Sequence, residues 1–258
     1  MAQGFKSEIL EVRDPAPHHF ELILSSENMS QALPGQFCQV LTPGTLRRPL
    51  SFSRIDGERH RVGLLFRVVG PGTAWLSQRG RGQCLDVMGP LGRGFSPPAP
   101  NAPWILVGGG VGIPPLYTAL ERWGGADHLP TVLLGARRQD DLVMRRDFEE
   151  WGIRPILTTD DGSAGISGNV VGPLREWMAE YPEGHILACG PTPMLAAISQ
   201  VTEFFAGVVQ VALEQRMGCG IGACLACVVP TQPIGSPGPR YRRVCTDGPV
   251  FRREELVF

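Results

Sequence analysis

The 258-residue chain carries almost no excess of charge: 24 Lys and Arg stand against 25 Asp and Glu, a formal net charge of −1. That balance removes any general electrostatic attraction for nucleic acid or for an anionic membrane surface. A long apolar run fit to cross a bilayer is also missing. The longest stretch free of charge, Gly94 to Leu120, holds Pro97, Pro98, Pro100, Pro103, Pro114, Pro115 and the triplet Gly108-Gly109-Gly110. That density of breakers excludes a lipid-spanning helix. There are no internal repeats and no low-complexity tract. No Ser–His–Asp arrangement stands out, and the five histidines, with His18 and His19 adjacent, show no metal-ligand spacing and read as solvated surface. The first residues, Met-Ala-Gln-Gly-Phe-Lys, hold no apolar signal region, so a cytoplasmic location is expected. In a reducing compartment the seven cysteines are thiols or metal ligands rather than disulfides.

What remains is a chain of 43% hydrophobic and 19% charged residues, the range of a globular protein, long enough to favour two domains over one. With 33 Gly and 24 Pro it has many turns and little long helix. Up to about residue 98 it reads as strand. Ser7–Val12, Phe20–Leu24 and Arg61–Val68 alternate roughly, and short runs at Phe37–Leu41, Leu50–Ile55 and Cys84–Met88 add three more. Six short strands with one helix near Thr73–Gln78 predict a small antiparallel β-barrel, residues 1–98. The Pro-rich segment Ser96–Asn101 is a stiff connector. Beyond it, strands at Trp104–Val107, Val132–Leu134, Ile156–Leu157, Ile186–Ala188 and Val208–Leu213 alternate with helices near Pro114–Trp123, Leu142–Trp151, Pro173–Tyr181 and Pro191–Phe205. This predicts a doubly wound parallel sheet over residues 102–212. Residues 213–258 form a third, Cys- and Gly-rich module without periodicity.

The sharpest motif lies in that module. Cys219, Cys224 and Cys227 are spaced C-x4-C-x2-C on a Gly-rich loop, and Cys245 follows after seventeen residues. This is the spacing of plant-type ferredoxins, whose 2Fe–2S centre takes four Cys ligands. A zinc site is the alternative, although zinc usually takes paired knuckles and here the last Cys stands alone. Cys38, Cys84 and Cys189 sit singly in apolar strands and read as core thiols.

Weaker motifs come in a telling order. Arg47-Arg48-Pro49-Leu50-Ser51 offers a guanidinium and a hydroxyl to an anion or ring, or is only a solvated pair beside a strand. Gly70-Pro71-Gly72-Thr73 opens the barrel helix as a phosphate seat or as a plain cap. Gly110-Val111-Gly112-Ile113-Pro114 follows a strand and opens a helix. There glycines allow close backbone approach to a pyrophosphate and the helix N-terminus supplies free N–H groups, though a tight turn alone also needs glycine. Cys189-Gly190-Pro191 and Thr158–Ser163 follow two further strands at the same edge, as ligand loops or as ordinary turn chemistry.

Together these elements resemble the ferredoxin reductase family over essentially the whole chain. The cysteine module, with Thr158–Ser163 and Arg243–Phe251, makes it similar to the electron transfer subunits of type B dihydroorotate dehydrogenases. The resemblance implies that Arg48, Pro49, Leu50 and Ser51, helped by Leu65, Phe66 and Arg67, hold FAD, with Gly72 and Thr73 on its pyrophosphate. It implies that Gly110, Gly112 and the Pro114 turn face the NAD pyrophosphate, that Cys189, Gly190 and Pro191 lie near the nicotinamide and flavin rings, and that Cys219, Cys224, Cys227 and Cys245 bind the cluster. The partner it implies is an FMN-containing dihydroorotate dehydrogenase catalytic subunit, two copies of each, serving pyrimidine biosynthesis. This chain is then an NAD-linked oxidoreductase subunit inactive on dihydroorotate alone. NAD is expected over NADP because Asp140 and Asp141 oppose a 2′-phosphate that Arg137 and Arg138 otherwise meet. Rival readings are an autonomous or oxygenase-associated reductase, a reductase subunit of another complex (sulfhydrogenase or NADH-dependent ferredoxin reductase type) and a zinc-binding interaction module. The stretch Pro230–Tyr241 is long and Pro-rich for a loop between the third and fourth ligands.

Overall fold

The computed structural model describes residues 4–44, 46–232 and 240–258, so most of the Pro-rich stretch between Pro230 and Tyr241 lies outside the described residues. The first six strands are β1 (Phe5–Ala16), β2 (His19–Ser25), β3 (Phe37–Val40), β4 (Arg48–Asp56), β5 (Arg61–Arg67) and β6 (Cys84–Leu91), with helix α1 (Pro71–Leu76) between the last two. They close into an antiparallel barrel in the order β1-β2-β5-β4-β3-β6. Alternation explains the closure: Leu22, Leu24, Cys38, Val40, Phe52, Val62, Leu64 and Val87 all turn inward to one apolar core.

Ser96 is clipped to the next unit at both backbone atoms by the Gln210 carboxamide, at 2.8 and 2.9 Å. That unit alternates β7 (Trp104–Gly109), α2 (Pro114–Trp123), β8 (Thr131–Ala136), α3 (Arg145–Glu150), β9 (Ile156–Thr159), β10 (Ile166–Ser167), α4 (Val171–Glu180), β11 (His185–Cys189), α5 (Thr192–Val201) and β12 (Val208–Ala212). The strands are parallel and, apart from the exposed two-residue edge β10, covered on both faces, with Leu106 packed on the α2 side and Ile105 and Val107 on the other. The order β10-β9-β8-β7-β11-β12 reverses between β7 and β11, which makes their C-terminal ends the switch point where open sheets bind ligands.

The cysteine module adds a two-stranded ribbon, β13 (Val228–Thr231) with β14 (Arg240–Arg243), and then β15 (Val250–Arg252). β15 joins the large sheet as an antiparallel edge on β12, an attachment the sequence pattern did not predict. Three further expectations need correcting. Cys84 is exposed, because it opens β6 at the rim of the barrel rather than within its core. His19 is buried, held by its Nδ1 contact to the Pro17 carbonyl at 2.8 Å. α3 is shorter than Leu142–Trp151, because a tight turn at Gln139–Asp141 and a left-handed Met144 (φ 59°) occupy the residues before it. Among the described residues, no helix is long and apolar enough to cross a membrane.

Candidate redox sites and their seams

The cysteine loop winds around a sulfur. Gly220 and Gly222 take positive φ (73° and 83°), a region open to glycine, and so turn the backbone inward. The N–H groups of Ile221, Ala223 and Cys224 donate to Cys219 Sγ at 3.5, 3.2 and 3.4 Å. Burial opposes ionisation of Cys219, but these donors and the Cys224 side chain outweigh it and bring the thiol down to about 6. The Cys245 N–H donates to Cys227 Sγ at 3.4 Å, and burial together with the Cys227 side chain pushes the Cys245 thiol up to about 11. The sulfurs thus stand in two pairs, Cys219 with Cys224 toward the surface and Cys227 with Cys245 buried. Among the described residues, no three ligand-type side chains close around a single point. A tetrahedral zinc needs four donors about one ion, whereas two thiol pairs suit a binuclear centre in which each iron takes two thiolates. These residues fit a 2Fe–2S cluster.

In the barrel, Arg48, Pro49, Leu50 and Ser51 open β4 and are all partly exposed. A Cβ built on Gly72 would collide with the Arg48 guanidinium and stand 3.1 Å from Thr42 Oγ1, so Arg48 lies directly over the start of α1. Thr73 Oγ1 accepts the N–H groups of Val69 and Gly70 at 3.0 and 3.2 Å, which organises this seat. Thr42 Oγ1 is buried without a partner beside it. A cation, a bare backbone and an unpaired hydroxyl fit a phosphate-bearing cofactor. Leu65, Phe66 and Arg67 end β5, where the strand meets the Gly110–Gly112 turn. Leu65 is buried in the α/β core and Arg67 stands 3.7 Å from Asp141.

At the switch point the two glycine turns touch. A Cβ on Gly112 would lie 2.5 Å from the Cys189 carbonyl oxygen and 2.6 Å from Gly190 Cα, so any larger residue forces the turns apart. Gly110 has φ 53° and open space about its Cα, a bare backbone facing the cleft. Burial pushes the largely covered Cys189 thiol up to about 12, so it stays protonated. One expectation changes here. α2 begins Pro114-Pro115, which have no N–H, and the next two amides, of Leu116 and Tyr117, both bond to the Ile113 carbonyl. Free donors for a phosphate therefore come from the glycine turn and not from the helix end. The loop Thr158–Ser163 is knit by its own contacts, Asp161 Oδ1 accepting from Ser163 N and Oγ at 3.0 and 2.6 Å.

Two seams join these parts; sequence reasoning found neither, although it had named Cys227 and Cys245 of the second as ligands. Against the sheet, Arg54 of β4 donates to Glu21 of β2 at 3.1 Å and to Asp147 of α3, while Ser53 Oγ donates to Glu21 at 2.6 Å. Against the cysteine module, Phe37, Met88 and Leu91 pack with Met217, Val244, Phe251 and the ligand-type residues Cys227 and Cys245.

A family model for the iron–sulfur cluster binding domain of dihydroorotate dehydrogenase B matches residues 214–257, and one for an oxidoreductase NAD-binding domain matches residues 106–200. The dihydroorotate dehydrogenase B (NAD(+)) electron transfer subunit of a Geobacillus species is 39% identical over 249 residues, 94% of each chain. That of Desulforamulus reducens is 34% identical over the whole of both chains. The chain belongs to the family of dihydroorotate dehydrogenase B electron transfer subunits. Members of that family share a fold with other reductases. A solved chain of an NADH-dependent reduced ferredoxin-NADP oxidoreductase superposes with TM-score 0.83 at 32% identity, covering 100% of this chain and 91% of that one. Phthalate dioxygenase reductase, at TM-score 0.65 and 17% identity over 94% of each chain, shares the fold alone.

Proposed function

We propose that this chain carries electrons between NAD and a dihydroorotate dehydrogenase catalytic subunit containing FMN, through a 2Fe–2S cluster and FAD, in pyrimidine biosynthesis. The observation that carries the reading is the apolar seam: two of the four sulfurs are packed on the outer wall of the same barrel whose β5 meets the nucleotide turn. FAD, when bound, exchanges a hydride with nicotinamide and single electrons with an iron–sulfur centre. The chain's own residues hold and align these groups. Arg48 and Ser51, with Pro49 and Leu50, seat the flavin and its phosphates, Gly72 and Thr73 take the pyrophosphate, and Leu65 and Arg67 line the side turned to the sheet, with Phe66 backing them from the barrel core. Gly110, Gly112 and the Pro114 turn admit the NAD pyrophosphate, and Cys189, Gly190 and Pro191 border its nicotinamide. Cys219, Cys224, Cys227 and Cys245 ligate the cluster. These assignments divide the chain at residues 1–98, 102–212 and 213–258.

The partner docks at the cluster loop, where Ile221 and Leu225 are exposed apolar residues beside the outer sulfur pair. Two copies of each subunit assemble in the cytoplasm. Mixing the two subunits produces dihydroorotate-dependent NAD reduction that neither gives alone; Cys224→Ser abolishes it while NADH-driven dye reduction at the flavin survives. The whole-length likeness to the ferredoxin-NADP oxidoreductase chain favours one rival, a subunit of a ferredoxin-linked complex. Affinity capture from the native cell that recovers a second flavoprotein of that kind, and no dihydroorotate dehydrogenase, decides for the rival.

A further inference from the structure

Strand β3 has two different faces. Cys38 and Val40 turn into the barrel core, whereas Phe37 packs outward among the apolar residues around Cys227 and Cys245. Gln39 shares Phe37's side of the strand by the two-residue repeat. It is fully buried, and neither Nε2 nor Oε1 has a hydrogen-bond partner. Buried carboxamides are ordinarily paired, because a bare donor and acceptor away from water carry their whole desolvation cost. Gln39 has no freedom to swing out to solvent. Its backbone is fixed between Pro49 on β4 and Met88 on β6, and its carbonyl accepts Arg47 Nη1 at 3.4 Å. The side chain ends against the cysteine loop: a Cβ on Gly220 would stand 2.8 Å from both Gln39 Cγ and Nε2. Gly220 follows Cys219 directly, and the three loop amides reach Cys219 Sγ from residues beyond it. The same loop has a second unpaired donor at its other glycine, where Thr246 Oγ1 is buried, unpartnered and 3.3 Å from a Cβ on Gly222.

We propose that Gln39 is a positioning residue for the cluster, its carboxamide donating across Gly220 to the sulfur of the loaded centre and so setting its reduction potential from the barrel side. This rests on the cluster reading given above. A donor to sulfur stabilises the more negative, reduced centre, so it raises the potential. Gln39 also stands opposite Pro49 in the strand that carries Arg48–Ser51, so one residue spans the distance between the flavin seat and the cluster loop.

The test is a redox titration followed by electron paramagnetic resonance on the whole chain, purified without air, as wild type, Gln39→Leu and Gln39→Met. The midpoint of the cluster moves to lower potential in both variants while iron and FAD content stay at the wild-type level. A wild-type midpoint in either fully loaded variant overturns the proposal. Should Gln39→Leu fail to load, Gln39→Met keeps the length and removes the donors. A measurement on the wild type is independent of both: with 15N in glutamine side chains, pulsed resonance detects one glutamine nitrogen coupled to the reduced cluster, and the lack of any such coupling overturns the proposal. A wild-type chain that binds no binuclear iron centre refutes the cluster reading itself, which is a different result.

Discussion

Where β2 and β4 meet the α/β sheet the barrel presents ions, with Leu65 of β5 as the apolar neighbour; against the cysteine module it presents hydrocarbon. The first seam is built on Glu21, whose side chain is only 3% exposed and takes donors from Ser53, Arg54 and, at 3.4 Å, Arg13. Arg54 continues to Asp147 across the seam, and its guanidinium lies 5.3 Å from the Tyr117 ring. Burial alone would make Arg54 easier to deprotonate, but the two carboxylates hold it charged. The second seam has Phe37, Met88 and Leu91 against Cys227 and Cys245, with Gln39 as its polar exception. Charge-assisted hydrogen bonds are directional, so the first seam fixes the angle at which flavin and nicotinamide units face each other. Apolar packing is non-directional, and its contribution is to keep water from the sulfurs. The same barrel wall thus serves geometry on one side and dielectric on the other.

Breaking the ionic seam has the largest expected effect. Arg54→Met leaves Glu21 buried without its main partner and lowers the unfolding free energy by about 3–5 kcal/mol in denaturant titration. An effect under about 1 kcal/mol would mean that the seam is solvated.

The second test of that seam is its response to pH. Glu121 of α2 borders a cleft of about 150 Å³ with Ile55, and burial raises its carboxyl from the ordinary 4.5 to about 7, against the pull of Arg54. The folded chain therefore holds a proton that the unfolded chain releases between those values. Stability from this group is full below 4.5 and lost as pH rises toward 7. Glu121→Gln removes the loss, so at pH 8 the variant is more stable by about 2–3 kcal/mol, with the difference vanishing near pH 4.5. Equal curves across that window would count against a buried Glu121. The apolar seam has no such titrating pair outside its thiols.

Much of this arrangement is legible in the sequence. Six barrel strands and four sheet helices show themselves because Pro, Gly and Asp punctuate runs of clear period. The C-x4-C-x2-C loop is legible because cluster chemistry demands that spacing. The seams are not. Gln39 reads as one polar residue inside Phe37-Cys38-Gln39-Val40, and only the packing of a module nearly two hundred residues later gives it surroundings. Val250–Arg252 is too short to signal a strand, and it pairs through backbone that any sequence supplies. Arg54 and Glu21 carry no local mark, since each becomes a buried ion only when barrel and sheet meet.

A control for both seams lies at the flavin seat. Arg48→Ala touches neither, so it weakens FAD retention by about 1.5–3 kcal/mol in a dialysis titration and leaves the stability of the flavin-free chain nearly unchanged. The smallest effect is expected from Phe37→Leu on the apolar seam, about 1 kcal/mol with no dependence on pH between 5 and 8, because packing rather than charge is altered. A pH-dependent loss there would erase the contrast between the two seams.

The central claim is that one chain brings a nicotinamide site, a flavin and a two-thiol-pair iron centre into electronic contact. It is tested most directly by adding NADH to the chain alone, purified without air, and following the metal centre by electron paramagnetic resonance beside a metal assay. The account predicts two irons per chain and the appearance of a reduced 2Fe–2S signal within the flavin's turnover, with no partner present. Stoichiometric zinc without iron, or an iron signal that NADH leaves untouched while the flavin is reduced, contradicts it.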